Sequence, residues 1–383
     1  MKIIEITNVD FSLRHFLLPL MRAIRDAGHD AVGGCAEGPL LDGVRAEGFR
    51  VIAIPFVRRV SPLAHLKAFR ALVDILRAEK PDIVHAHMPI SGFVARLAAW
   101  RAGVPMIAYT CHGFLFNHRD SSLPRRIASF AMEFLAARIT DVFLTVSEAE
   151  ARDARRLGIA RNAVAIRNGR NPAVFHPSRG ARARIRAALG VPEDRVVVIA
   201  VSRLVWHKGY PELAQAMARV PDAELWVVGE RLASDRGADM VAVLRQAGLG
   251  ERLRLLGYRE DIPDLLAAAD IFTLPSRFEG LPMSVIEAML TGLPVVATNV
   301  RGPDEQVVQD ETGLKVAPGD SAALEAALGR LAGDPALRRR MGEAGRVRAL
   351  ELYDESKVLA RTLDLLGLSV YPAAFAHDQD TPS

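Results

Sequence analysis

Ile271-Phe272-Thr273-Leu274-Pro275-Ser276-Arg277-Phe278-Glu279-Gly280-Leu281-Pro282-Met283-Ser284-Val285-Ile286-Glu287 runs from an apolar strand through a polar loop into a helix. Ile271–Leu274 is short, apolar and closed by Pro275, the pattern of a buried strand. Pro282 suits the first helical position. Glu279 then falls in the loop and Glu287, eight positions on, in the second helical turn. Gly280 between them lets the backbone come close to a ligand. Unpaired backbone N–H groups at the helix start favour an anion or a polar ligand oxygen. One strand–loop–helix element thus offers two hydroxyl acceptors and a set of donors for phosphate or sugar oxygens. A sugar nucleotide needs that combination.

The same alternation extends along the chain in both directions. Upstream, apolar runs at Ile3–Thr7, Asp30–Cys35, Arg50–Pro55, Ile83–His87, Met106–Cys111, Val142–Val146 and Ala163–Arg167 read as buried parallel strands. Segments of helical period lie between them, among them Leu13–Ala27, Leu63–Arg77 and Ser91–Trp100, with Gly28, Gly103 and Gly158 as stops. The second half repeats the scheme at Val196–Val201, Glu224–Val228, Leu253–Leu256, Ile271–Leu274, Val295–Thr298 and Leu314–Val316. Alternating strands and helices imply α/β architecture with parallel sheets covered on both faces. At 383 residues the chain is long for one core, so two domains are expected. His112, Asn168-Gly169, Arg203, Gly229-Glu230 and Glu279 each follow a strand, where doubly wound folds bind ligands.

Composition is that of an ordinary globular protein, half apolar and a quarter charged. Cys35 and Cys111 lie in or beside strands, and two cysteines in so long a chain do not suggest a disulfide framework. The start becomes polar within a few residues and does not read as a signal peptide, and the apolar stretches fall short of the ~20 residues a membrane span needs. The expected location is cytoplasmic. Residues 1–175 hold 24 Lys+Arg against 16 Asp+Glu, a net of +8, and the remainder 25 against 29, a net of −4. A basic N-terminal half suits an anionic surface or a phosphorylated acceptor, and equally a solvated Arg-rich surface.

Three stretches together resemble glycosyltransferase family 4, the retaining glycosyltransferases of GT-B fold. Glu279 to Glu287 resembles the family's Glu-x7-Glu motif. Val201-Ser202-Arg203-Leu204-Val205-Trp206-His207-Lys208-Gly209 resembles its basic loop, and Ile166-Arg167-Asn168-Gly169 through Phe175 its interdomain element. They follow the family's order over most of the C-terminal half. The resemblance implies two Rossmann-like, doubly wound domains facing across a cleft. These are an acceptor-side domain over 1–170, a linker over 171–190 and a nucleotide-sugar-binding domain over 191–354. A helix over 355–367 then crosses back to the first domain, before a disordered tail over 368–383.

It also implies roles. Arg203 and Lys208 would hold the leaving diphosphate, as two cations near a helix start suit that charge; His207 is more a spacer than an acid or base. Glu287 would accept from the ribose hydroxyls. Glu279 would meet the transferred sugar, with Gly280, Leu281 and Pro282 lining the site. The base would lie near Gly257 and Tyr258, which either stacks or is merely exposed. His112 would sit near the bond being broken. His87 matches a family position near the acceptor. His85 and His87, two apart on a strand, face one side and make a metal site geometrically possible, though no third ligand is evident nearby.

Two departures matter. The segment after the first strand, Asn8-Val9-Asp10-Phe11-Ser12-Leu13-Arg14-His15-Phe16, lacks the family's Gly-Gly loop. It resembles the subgroup acting on bacterial polysaccharides and lipid-linked oligosaccharides, which makes Arg14 the candidate to meet an acceptor phosphate. Asn168-Gly169-Arg170-Asn171 stands where relatives have Asn-Gly-Val-Asp. Paired carboxylates also suit a glycoside hydrolase, but such an enzyme has no need of a double dinucleotide-like fold with a cationic loop. The one Asp-x-Asp pair, Asp378-Gln379-Asp380, lies in the tail, so no metal and no cofactor are expected. The expected function is transfer of a sugar from a nucleotide diphosphate sugar, UDP-linked for preference, to a glycan or lipid-linked acceptor in cell-envelope glycan synthesis. Arg58-Arg59 and Arg125-Arg126 would meet an anionic membrane surface; no nucleic-acid partner is expected. The alternatives are a sugar-nucleotide epimerase of the same fold and a non-catalytic sugar-nucleotide-binding subunit.

Overall fold

The computed structural model describes residues 1–57, 61–118, 121–231, 235 and 237–369. Its strands are β1 (Lys2–Ile6), β2 (Asp30–Cys35), β3 (Arg50–Ala53), β4 (Ile83–His87), β5 (Met106–Cys111), β6 (Val142–Thr145) and β7 (Val164–Ala165). They are followed by β8 (Val196–Val201), β9 (Ala223–Val228), β10 (Leu253–Gly257), β11 (Ile271–Leu274), β12 (Val295–Thr298) and β13 (Gly313–Val316). The first sheet has the order β3-β2-β1-β4-β5-β6-β7 and the second β10-β9-β8-β11-β12-β13. Paired strands run parallel, for example with Glu5 opposite His85 and Val198 opposite Leu225. Both orders reverse direction beside their first strand, as expected of Rossmann-like sheets.

The chain forms two compact units. One holds Met1–Thr110, Ala131–Leu144 and the segment beginning at Leu359; the other holds Cys111–Phe130 and Thr145–Val358. Strand alternation builds the core of the second unit. Val196, Val198 and Ala200 pack on one face with Leu213, Met217 and Leu225. Val197 and Ile199 pack on the other with Trp226, Phe272, Ile286 and Met289. Each fully buried aliphatic side chain contributes ~1.5–3 kcal/mol. Two layers of them explain why these strands read as continuous apolar runs rather than alternating ones.

In the first unit a charge is buried in full. Arg96 donates to Glu133 at 2.8 Å, and Tyr109 donates to the other Glu133 oxygen at 2.8 Å. The guanidinium lies 3.7 Å from the Tyr109 ring centroid. A buried ion pair held this way is tolerated, but removing one partner costs ~3–5 kcal/mol.

Local chemistry moves several expected boundaries. Part of the stretch read as linker, Arg179–Leu189, is a helix. Ser178 caps it and Gly190, at φ +65, ends it. Arg182 and Arg186 tie it down through Asp270, at 3.0 and 2.6 Å. The single helix expected over Leu13–Ala27 is a π turn, Leu13–Leu17, and then a helix, Leu18–Asp26, because Pro19 in its first turn cannot donate back along the chain. Leu368, expected in the tail, is fully buried, and its carbonyl lies 3.1 Å from His29 Nε2. The rest of that tail, from residue 370, lies outside the described residues. Cys35 and Cys111 are buried and form no disulfide, and burial pushes the Cys35 thiol up to about 12.

Candidate functional site

The element with Glu279 and Glu287 sits in the second unit, between β11 and the helix Met283–Leu290. Pro282 stands one position before that helix, not at its first residue. Its extended ψ of 126° leaves its carbonyl to accept from Gln306 Nε2 at 3.0 Å. Asn168 donates from Nδ2 to Leu281 O at 2.7 Å. The loop carrying Gly280, Leu281 and Pro282 is thus pinned by two side-chain amides, one of which the interdomain motif supplies. The Ser276 carbonyl accepts from Thr298 Oγ1.

Glu279 is nearly buried and is held at one oxygen. Lys208 Nζ and Ser276 Oγ both donate to its Oε1 at 2.6 Å. The fold therefore places the expected diphosphate cation on the expected sugar carboxylate. The Arg203–Lys208 loop follows β8 and closes with Gly209 at φ +79. A Cβ at Gly209 would stand 1.9 Å from Pro275 O, so only glycine lets this loop lie against the end of β11. Arg277 N donates to His207 O at 2.8 Å, and the Arg277 guanidinium covers Trp206 at 4.4 Å. Burial, then the charges of Lys208 and Arg203, lower the His207 pKa to about 4, so its ring is neutral at pH 7.

Arg203 is exposed and reaches Asp235 at 2.6 Å. Glu287 is met by Arg170, whose Nε donates to Oε1 at 2.7 Å. Neither Asp235 nor Arg170 was singled out by sequence as a partner. Arg170 was visible only as a departure from the usual valine.

His112 follows β5 and is half-buried. Its carbonyl oxygen would lie 2.5 Å from a Cβ on Gly280, so the His112-Gly113 backbone and the Glu279-Gly280 loop touch. Behind them stands Glu150, on the helix Glu148–Arg156 that Ser147 caps. Its Oε1 accepts from Phe114 N at 3.2 Å while its Oε2 is buried without a partner. Burial raises its pKa to about 8. His118 is a further residue that sequence missed; its ring lies 4.7 Å from Phe278 and 6.3 Å from His207. Gly257 lines an open cavity of about 230 Å³ with Leu204, Gly229, Glu230 and Leu255, while Tyr258 is exposed.

The acceptor candidates belong to the first unit. Arg14 lies in the π turn, half exposed, 4.0 Å from Glu47. His87 is buried at the end of β4. The third metal ligand that sequence did not find is Glu5, directly across the sheet from His85. The trio is closed on itself. Glu5 is 3.1 Å from His85 Nδ1 and 2.7 Å from His87 Nε2, and His85 Nε2 is 2.8 Å from Thr110 Oγ1. Burial would raise the Glu5 pKa, but the charge and hydrogen bonds of the two histidines outweigh it and hold it at about 2. Burial also lowers His87 to about 4. An ion here would have to displace these bonds, so the arrangement fits an internal charge network better than a metal centre.

Comparison with known proteins accords with this architecture. Residues 181–348 match the family described as glycosyl transferases group 1, and residues 13–169 match the glycosyl transferase 4-like domain. The chain is 30% identical over 314 residues to the Escherichia coli UDP-Gal:alpha-D-GlcNAc-diphosphoundecaprenol alpha-1,3-galactosyltransferase, covering 79% of this chain and 80% of that protein. It is 26% identical over 375 residues to the Campylobacter jejuni N,N'-diacetylbacillosaminyl-diphospho-undecaprenol alpha-1,3-N-acetylgalactosaminyltransferase, covering 95% and 98%. Among solved structures, Anabaena HepE in complex with UDP and glucose aligns with a TM-score of 0.82 at 23% identity, covering 96% of this chain and 99% of that one. The epimerase alternative finds no support in these matches. With two parallel Rossmann-like sheets of GT-B type and relatives named as glycosyltransferases acting on diphosphoundecaprenol-linked sugars, this chain belongs to the group 1 glycosyltransferases.

Proposed function

We propose that the chain is a retaining, metal-independent glycosyltransferase. It moves a sugar from a UDP-linked donor to a lipid-linked or polysaccharide acceptor. The observation that carries this is the meeting of Lys208, Ser276 and Glu279 at one carboxylate oxygen, on loops that follow β8 and β11. The relatives support the substrate classes: one is named for UDP-galactose and a diphosphoundecaprenol acceptor, and the HepE structure holds UDP and glucose.

On donor binding, the diphosphate takes Lys208 and Arg203 from their acidic partners. Glu279 is released to the sugar hydroxyls, and Glu287 accepts from the ribose. The bond from the anomeric carbon to the diphosphate oxygen breaks as the acceptor hydroxyl attacks the same face. The departing diphosphate takes the hydroxyl proton, and its growing charge is held by Arg203 and Lys208. His112 lies beside this centre. His87 and Arg14 serve the acceptor. Among the described residues no helix is long and apolar enough to cross a membrane, which is compatible with a peripheral enzyme at the inner membrane face.

The test is transfer from a panel of UDP-, GDP- and ADP-sugars to undecaprenyl diphosphate-linked acceptors, with the product's anomeric configuration read by NMR. Arg203→Ala and Lys208→Ala should each lose about a hundredfold in kcat/KM, the ~3 kcal/mol of a charge-assisted contact to a developing anion. Activity should survive EDTA. Inversion of configuration, or loss in EDTA restored by Mn²⁺, would refute the mechanism.

A further inference from the structure

Arg170 is clamped at both ends. Its backbone N–H donates to Tyr353 O at 3.0 Å and its carbonyl accepts from Glu355 N at 3.1 Å, forming a bridge with Asp354. Its side chain reaches Glu287, a residue 117 positions away in the chain. Both partners are largely withdrawn from solvent, at 18% and 10% side-chain exposure. Two residues earlier, Asn168 holds the Leu281 carbonyl. The Asn168–Arg170 stretch therefore grips both ends of the Glu279–Glu287 element, one on its loop and one on its last carboxylate.

A glutamate side chain has three rotatable torsions, and freezing it on a ligand costs conformational entropy at the moment of binding. Arg170 removes that cost in advance, since its planar guanidinium fixes the carboxylate's orientation. It occupies Oε1, and a carboxylate accepts at both oxygens. We propose that Arg170 is a positioning residue for nucleotide recognition: it presents the Glu287 carboxylate to the ribose hydroxyls and so sets the preference for a ribonucleotide over its deoxy form. The proposal rests on the ribose role given above to Glu287.

Calorimetry of UDP and 2′,3′-dideoxy-UDP on the wild type, Arg170→Leu and Arg170→Lys separates the two ideas. In the wild type UDP should bind at least tenfold tighter than the dideoxy form, the value of ~1.4 kcal/mol or more. Arg170→Leu should bring that ratio below threefold while affinity for dideoxy-UDP changes little. Arg170→Lys keeps the charge and most of the length and should give an intermediate ratio; it serves as the folded variant if Arg170→Leu does not fold. A wild type showing no hydroxyl preference with UDP, GDP or ADP overturns the role of Glu287 and this proposal with it. A wild type that discriminates, with variants that keep the full ratio or lose both nucleotides equally, overturns the role of Arg170 alone.

Discussion

Replacing Gly280 by alanine adds one methyl group at a crowded point of the candidate site. That carbon would stand 2.5 Å from the His112 carbonyl oxygen and 3.2 Å from its carbon. The obstacle is backbone, so no change of rotamer relieves it. A carbon meeting a carbonyl oxygen normally rests at ~3.3 Å or more, so the two loops must part by about 0.8 Å. Overpacking of this kind costs ~1–3 kcal/mol of stability. Displacement near an ångström between reacting groups costs ~10²-fold in rate. Gly280→Ala should therefore fold with a lower urea midpoint and lose about two orders of magnitude in kcat/KM. Gly329→Ala is the control. It sits in the helix Ser321–Gly333 with no atom within 4 Å of the new methyl, and should be neutral or gain up to ~1 kcal/mol. Wild-type turnover and midpoint in Gly280→Ala would refute the close apposition of the two loops.

Two further outcomes follow from buried and exposed charge. Because burial lifts the Glu150 pKa to about 8, the folded state keeps a proton that the unfolded chain releases from about pH 4.5 upward. Stability therefore falls as pH rises between those values. Glu150→Gln should match the wild type at pH 5 and exceed it by ~1 kcal/mol or more at pH 8 in urea melts, and a gap that does not change with pH would sink the idea. The helix Leu123–Ala136 exposes Leu123 and Ile127 beside Arg125 and Arg126, a mixture suited to an anionic leaflet. Flotation with anionic vesicles at low salt should be weakened by changing both arginines to serine, each worth ~1 kcal/mol, and a wild type that ignores such vesicles points to a soluble acceptor. Arg58 and Arg59, proposed for the same contact, lie outside the described residues.

Much of the framework was legible because buried parallel strands are written as apolar runs. Asp30–Cys35, Ile83–His87, Met106–Cys111, Val196–Val201, Ile271–Leu274 and Val295–Thr298 fall where the runs fall. The loops following β8 and β11 were legible for the same reason, since each motif ends a strand. Partners were not. Arg170 and Glu287, or Glu5 and His85, lie 117 and 80 positions apart and meet only through sheet order and packing. Glu5 did leave a trace, as a lone charge inside the apolar run Ile3-Ile4-Glu5-Ile6. A carboxylate in the middle of a buried strand requires a partner. The Arg179–Leu189 helix was hidden because its arginine-rich surface resembles a linker, and its contacts with Asp270 show otherwise.

The cations of the candidate site are already neutralised within the protein: Arg203 by Asp235, Lys208 by Glu279, Arg170 by Glu287. Such a resting state behaves as a coincidence detector. A simple anion such as inorganic phosphate can replace a carboxylate on lysine or arginine, but it strands that carboxylate in a poorly hydrated place with nothing to accept. A neutral sugar has the opposite failing, offering hydroxyls to acids that are already satisfied. Only a molecule carrying a diphosphate and hydroxyls on one frame relieves both Lys208 and Glu279 at once. Under the proposed assignment, discrimination against the abundant small phosphates of the cell comes from these internal pairs as much as from the fit of the pocket.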